Sequence, residues 1–137
     1  MTSDQQWQSA QAMVGREYVS GIYDCAHLAV DVQRELFDRT VVLPTEHRQG
    51  RAGQAAQIGA HRNALATRVA EPVHGGPVLI TGMDESGQTV WHIGTVLLRR
   101  GEVWILHNSR ALGGVAMNRL RDFSMRGMHV EGFYTWN

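Results

Sequence analysis

The sequence predicts an α+β domain in which helices precede an antiparallel β-sheet. Apolar residues at helical spacing are confined to the first half of the chain, whereas the second half contains short β-branched runs separated by turn residues. Helices and strands in separate runs, rather than in alternation, favour an antiparallel sheet. A chain of 137 residues fits one hydrophobic core, so we expect a single domain over residues 1–137.

Two helices are predicted near the N-terminus, joined by a loop over residues 16–24. Trp7, Ala10 and Val14 fall at helical spacing and predict a helix over residues 4–14. The stronger helix covers residues 25–38, where apolar residues recur on one stripe: Cys25, Leu28, Ala29, Val32 and Leu36. Asp24 stands directly before this helix, where its carboxylate can cap free backbone N–H groups.

The middle of the chain carries weaker signals. Residues 45–53 are polar and contain two glycines, and the alanine-rich segment after them predicts a third helix over residues 54–68. Two prolines and two glycines within residues 71–77 indicate a turn. The sequence leaves open whether residues 45–76 form a lid over a cleft or pack beside it.

The second half predicts a sheet. Strands are expected at residues 78–81, 90–98, 103–108, 115–118 and 128–136, with a short helical turn over residues 120–125. A hairpin turn centred on Arg100 and Gly101 sets His107 opposite Gly94. His92 and His107 then become diagonal neighbours on one face, and Gly94 leaves room between them.

Composition excludes several classes of protein. Thirteen basic and thirteen acidic residues give no net charge, so we expect neither nucleic acid nor an anionic membrane surface as a partner. A single cysteine excludes an internal disulfide. The N-terminus is polar, without the apolar core of a signal peptide, and no apolar run reaches the length of a membrane span. We therefore expect synthesis in the cytoplasm.

Cys25 is the candidate nucleophile. The first turn of a helix presents unpaired N–H groups and the positive end of the dipole, and both stabilise a thiolate. A thiolate needs a nearby base, and His92 fills that role with His107 as its orienting partner. If the hairpin loop had an odd number of residues, Asn108 would share the face of His92 instead. The alternative is that these histidines are structural residues.

Several segments resemble the NlpC-type papain-like cysteine peptidases. Tyr18-Val19-Ser20-Gly21 followed by Asp24-Cys25-Ala26-His27-Leu28 is similar to that family's Tyr-x-x-Gly…Asp-Cys-Ser-Gly-Leu signature. His92-Ile93-Gly94 resembles its His-Val-Gly strand, and Ile105-Leu106-His107 resembles the strand that ends in its third catalytic residue. The resemblance covers residues 18–109. It implies a papain-like fold with the nucleophile at the N-terminus of a helix packed on an antiparallel sheet.

The resemblance also implies roles for individual residues. Cys25, His92 and His107 would form the catalytic triad, and Tyr18, Asp24, Ala26 and His27 would line the substrate site. Ala26-His27 replaces the family's Ser-Gly, which helps to shape the substrate subsite. Gly75-Gly76-Pro77 stands where the family has Gly-Asp, so the chain is identified as a divergent member.

The implied activity is hydrolysis of an amide bond, in a peptide of the murein cell wall, through a thioacyl intermediate and without a cofactor. A bacterial or prophage origin follows by analogy, with phage-tail components as partners. Delivery to the cell envelope would then depend on a phage-like or secretion machinery.

Three alternatives stay open. An acyltransferase or amidase of the same superfamily would use the same residues with another acceptor. Cys25, His92 and His107 are also ligand types for zinc, although no paired Cys/His spacing supports a zinc site. The third is a non-catalytic structural or peptide-binding module of a phage-like assembly, which the missing Ser-Gly pair favours.

Overall fold

The computed structural model describes residues 1–42, 65–83, 86–87 and 89–137. Two helices, α1 (Asp4–Met13) and α2 (Cys25–Phe37), precede an antiparallel sheet, which confirms the predicted α+β class. Its strands are β1 (Ala66–Val69), β2 (Pro77–Met83), β3 (Thr89–Arg99), β4 (Glu102–Ser109), β5 (Gly114–Arg119) and β6 (His129–Trp136). They lie in the order β1-β6-β2-β3-β4-β5. Two 3₁₀ turns, Leu120–Asp122 and Ser124–Arg126, connect β5 to β6.

Both helices begin at a capping residue. The Ser3 hydroxyl oxygen accepts a hydrogen bond from the amide of Gln6, and the side-chain oxygen of Gln6 accepts one from the Ser3 amide. Asp24 caps α2 as predicted, because one carboxylate oxygen accepts from the amides of Ala26 and His27. Each helix therefore begins where the sequence pattern places it, and each ends within one residue of the expected position.

The β3–β4 hairpin has the predicted register. Arg100 and Gly101 form its two-residue turn, both with positive φ (50° and 77°), as the type I′ turn of a twisted hairpin requires. Gly94 pairs with His107. The even loop length excludes the register in which Asn108 shares the face of His92.

The predicted helix over residues 54–68 is wrong at its C-terminal end, because Ala66–Val69 form strand β1. Residues 54–64 lie outside the described residues. Strand β1 pairs with β6, at the far end of the chain, and Arg68 forms an ion pair with Glu131 at 2.8 Å. These distant contacts override the local helix propensity of alanine. The sequence left the role of residues 45–76 open, and the described part of this segment is an edge strand followed by a turn.

The sheet has a different covering on each face. The helix face packs against α1 and α2 and buries Ala10, Met13, Leu28, Val32, Leu36, Leu97, Leu106 and Val115. The opposite face, here called the turn face, packs against the 3₁₀ turns and buries Val78, Ile80, Val96, Ile105 and Phe123. Since side chains alternate along a strand, neighbouring residues of β3 belong to different layers of the core.

In the part of the chain that the structure describes, no helix combines the length and apolar character needed to cross a membrane.

Candidate functional site

Cys25 is the first residue of α2 and lies in the core. Only 4% of its surface is exposed, and it packs with Ala29, Leu79 and Ile93 on the helix face. The backbone N–H of Ile93 donates to the Cys25 sulfur, so the thiol is held directly against strand β3. The helix start therefore faces the sheet rather than solvent.

Burial raises the pKa of the Cys25 thiol to about 12, and the neighbouring charge of Asp24 acts in the same direction. The amides of Ile93 and Ala26 lower this pKa but do not offset the desolvation. The expectation that the helix N-terminus would yield a thiolate did not include this burial. In the structure the thiol is neutral at physiological pH.

His92 and His107 lie together on the turn face, as the hairpin register predicts. Their ring centroids are 5.1 Å apart with an interplanar angle of 78°. The His107 ring also contacts Phe123, with a centroid separation of 5.8 Å. A Cβ at Gly94 would lie 2.7 Å from Ile105 Cγ2 and 3.3 Å from His107 Cβ. The glycine therefore gives the space that this arrangement needs.

The two rings keep unpaired nitrogens inside the protein. His107 Nε2 lies 2.7 Å from Asn118 Oδ1, whereas His107 Nδ1 and His92 Nε2 are buried without a hydrogen-bond partner among the described residues. Burial lowers the pKa of His92 to about 3, with a contribution from His107. Burial also lowers the pKa of His107, opposed by the Asn118 hydrogen bond and assisted by the charge of Arg126. Both imidazoles are neutral at physiological pH.

The structure does not join Cys25 to His92. The sulfur packs beside Ile93, and the preceding residue, His92, projects from the opposite face of β3. Within the described residues no hydrogen bond links the thiol to the His92 ring. Cys25 and His92 do not form the expected pair because α2 packs on the face of the sheet that carries Ile93. The register of the hairpin does not specify which face the helix covers. The catalytic roles of these residues stay predictions.

Asn108 lies on the helix face and is fully buried. Its Nδ2 donates to the backbone oxygen of Tyr23 at 2.9 Å, and its Oδ1 has no partner within the described chain. Asn108 therefore ties β4 to the segment that leads into α2. It does not contact His92 as the alternative third residue would.

Three of the four predicted substrate-site residues lie at the start of α2: Asp24, Ala26 and His27. Asp24 is 1% exposed, and His27 Nδ1 lies 2.9 Å from its carboxylate. Ala26 is half-buried, one residue after Cys25. Tyr18 lies in the preceding loop, where its amide donates to the Gly113 oxygen at 3.1 Å. The carboxylate of Asp24 thus serves the helix cap, and His27 is its neighbour.

The zinc alternative requires three ligands to converge. Among residues 1–42, 65–83, 86–87 and 89–137, no group of three or more Cys, His, Asp or Glu side chains is placed to hold a metal. Cys25 lies in a different layer from the two histidines. The structure therefore contributes nothing to that alternative.

The sequence patterns did not single out Asn118. This residue of β5 pairs with Ile105 of β4 and so belongs to the turn face, beside His107. If the alternation of side chains had been extended from the β3–β4 hairpin to β5, it would have placed Asn118 on this face.

Comparison with known proteins gives no further guidance. No protein-family model matches the chain, and neither a curated protein nor a solved structure matches it.

Proposed function

We propose that this chain is a cysteine hydrolase that cleaves an amide bond, with Cys25 as nucleophile, His92 as general base and His107 as orienting residue. One observation carries the proposal. His92 precedes Ile93, whose amide donates to the Cys25 sulfur, and the His92 and His107 rings, both neutral, contact each other and each keep a buried nitrogen without a partner among the described residues.

A packing role does not account for this pair. Leaving a buried polar atom without a partner costs about 1–3 kcal/mol, and both His92 Nε2 and His107 Nδ1 are in that state among the described residues. Apolar residues of similar size would fill the space without the cost. Buried groups with strongly shifted pKa values are more common at functional sites than elsewhere.

The proposed reaction is acyl transfer to water. His92 takes the proton of Cys25, the thiolate attacks the amide carbonyl, and His92 then protonates the leaving amine. Water hydrolyses the thioacyl intermediate. Turnover requires a conformation in which the His92 ring reaches the sulfur, because the structure directs this ring towards the turn face. The Ile93 amide that donates to the sulfur belongs to the residue after His92 in β3, so the thiol and the His92 ring lie beside the same part of this strand, on its opposite faces.

The proposed substrate class rests on the resemblance to NlpC-type peptidases, and so does the proposed papain-like fold. It favours a murein peptide, with Ala26 and His27 altering the subsite beside the nucleophile. Transfer to an amine or alcohol instead of water would use the same groups. The proposed place in a phage-like tail and the proposed delivery to the cell envelope also rest on this resemblance.

Iodoacetamide labelling of Cys25 tests the proposal without a known substrate, since the chain has one thiol. Labelling rates are measured from pH 5 to 10 in wild type, His92→Ala and the control His27→Ala. The proposal expects His92→Ala to slow labelling near neutral pH at least tenfold while His27→Ala does not. Hydrolysis of murein fragments should disappear in Cys25→Ser. Equal labelling in wild type and His92→Ala, with hydrolysis unaffected by Cys25→Ser, would overturn it.

The burial of Cys25 favours a second candidate, a non-catalytic structural or peptide-binding module. A thiol 4% exposed with a pKa of about 12 is inert as it stands. Labelling that is slow, independent of His92 and accompanied by no hydrolysis of murein fragments would favour this candidate. Retention of those fragments by the immobilised chain would then support binding.

A further inference from the structure

Among the described residues, Asn118 makes the only hydrogen bond to a ring nitrogen of His92 or His107. Its side chain projects from β5 onto the turn face, and its Oδ1 lies 2.7 Å from His107 Nε2. A carbonyl oxygen can only accept a hydrogen bond, so the ring nitrogen that faces it must carry a proton. The contact therefore defines which nitrogen of His107 is protonated.

A neutral imidazole has one N–H and one lone pair. His107 is held neutral by its burial, and the positive charge of Arg126 acts in the same direction. With the proton on Nε2, His107 Nδ1 becomes an acceptor inside the core, where the described residues offer it no donor. The ring next to it belongs to His92, whose Nε2 is also buried and unpaired.

We infer that Asn118 is a positioning residue, which fixes the tautomer of His107 with the proton on Nε2. The His107 ring packs edge to face against the His92 ring, with a centroid separation of 5.1 Å. Asn118 therefore holds the ring that in turn positions the proposed base. The catalytic meaning of this arrangement rests on the proposed function, whereas the tautomer of His107 does not.

Nitrogen NMR of the ¹⁵N-labelled chain tests the inference directly, because long-range couplings report which ring nitrogen is protonated. Spectra are compared for wild type, Asn118→Leu, Asn118→Asp and the control Met117→Leu, whose side chain packs on the helix face. We expect a proton on Nε2 of His107 in wild type and in Met117→Leu. Asn118→Asp keeps an acceptor and should retain this Nε2 proton, whereas Asn118→Leu should give mixed tautomers of His107.

Activity separates this inference from the proposed function. If murein fragments are cleaved, Asn118→Leu should lower kcat about tenfold with little change in KM, which is the loss of one hydrogen bond, and Asn118→Asp should restore it. A wild-type His107 with its proton on Nδ1 would overturn the inference even if Asn118→Leu failed to fold. Unchanged tautomers in a folded Asn118→Leu would overturn it as well. The expected tautomers in a chain without Cys25-dependent hydrolysis would instead refute the proposed function alone.

Discussion

Acidification should destabilise this protein through three histidines that the fold shields wholly or partly from water. The pKa of His92 is lowered from 6.5 to about 3 by burial, and the pKa values of His74 and His107 are also lowered. The unfolded chain therefore binds more protons than the folded chain at mildly acidic pH. Stability should be full above pH 6.5 and fall as the pH decreases from there towards 3.

The effect of His92 alone is large enough to measure. With pKa values of 6.5 unfolded and about 3 folded, the loss between pH 8 and pH 5 is about 2 kcal/mol. The total stability of a small domain is about 5–15 kcal/mol. His74 and His107 add to the loss in the same direction. His74 also accepts a hydrogen bond from the Leu98 amide at its Nδ1, which protonation would break.

Urea unfolding followed by tryptophan fluorescence at pH 8, 7, 6 and 5 gives the free energy of unfolding directly. His92→Gln removes one titrating group and should flatten the profile by about 2 kcal/mol between pH 8 and 5. His129→Gln, at an exposed histidine, is the control and should follow wild type. A wild-type profile that is flat, or that His92→Gln leaves equally steep, would show that His92 is not held neutral by burial.

Two further substitutions test the packing of the site. Gly94→Ala should cost about 1–3 kcal/mol, because its Cβ would lie 2.7 Å from Ile105 Cγ2. Gly82→Ala should cost much less, because its Cβ would lie 3.8 Å from the Gly127 oxygen. Equal urea midpoints for the two variants would contradict this packing. Asp24→Ala should lower the free energy of unfolding by about 0.5–2 kcal/mol, because the helix cap is lost. Asp24→Ser should retain most of this stability. If the serine variant were as unstable in urea as the alanine variant, the cap would not be the source of the effect.

Local signals in the sequence determined both described helices and the central hairpin. The apolar stripe from Cys25 to Leu36 and the capping position of Asp24 are read within one segment, so distant contacts do not change them. The turn at Arg100-Gly101 likewise sets the pairing of Gly94 with His107 by counting alone. The neighbouring rings of His92 and His107 follow from this register.

Strand β1 shows what local signals miss. The alanine-rich composition of residues 54–68 predicted a helix there, but Ala66–Val69 form a strand because β6, more than sixty residues later in sequence, provides the pairing partner. Asn118 was overlooked for a related reason, since its importance comes only from its contact with His107 in the neighbouring strand.

The sequence by itself placed one thiol at a helix start and two histidines on one face of the sheet. Only the tertiary structure decided how these groups relate. Helix α2 packs on the side of β3 that carries Ile93, so the thiol and the His92 ring lie in different layers. The same packing removes water from Cys25, and desolvation outweighs the helix N-terminus in setting its pKa. A pattern of residues specifies faces and periods, but the choice between two apolar faces of a sheet depends on how the whole core packs.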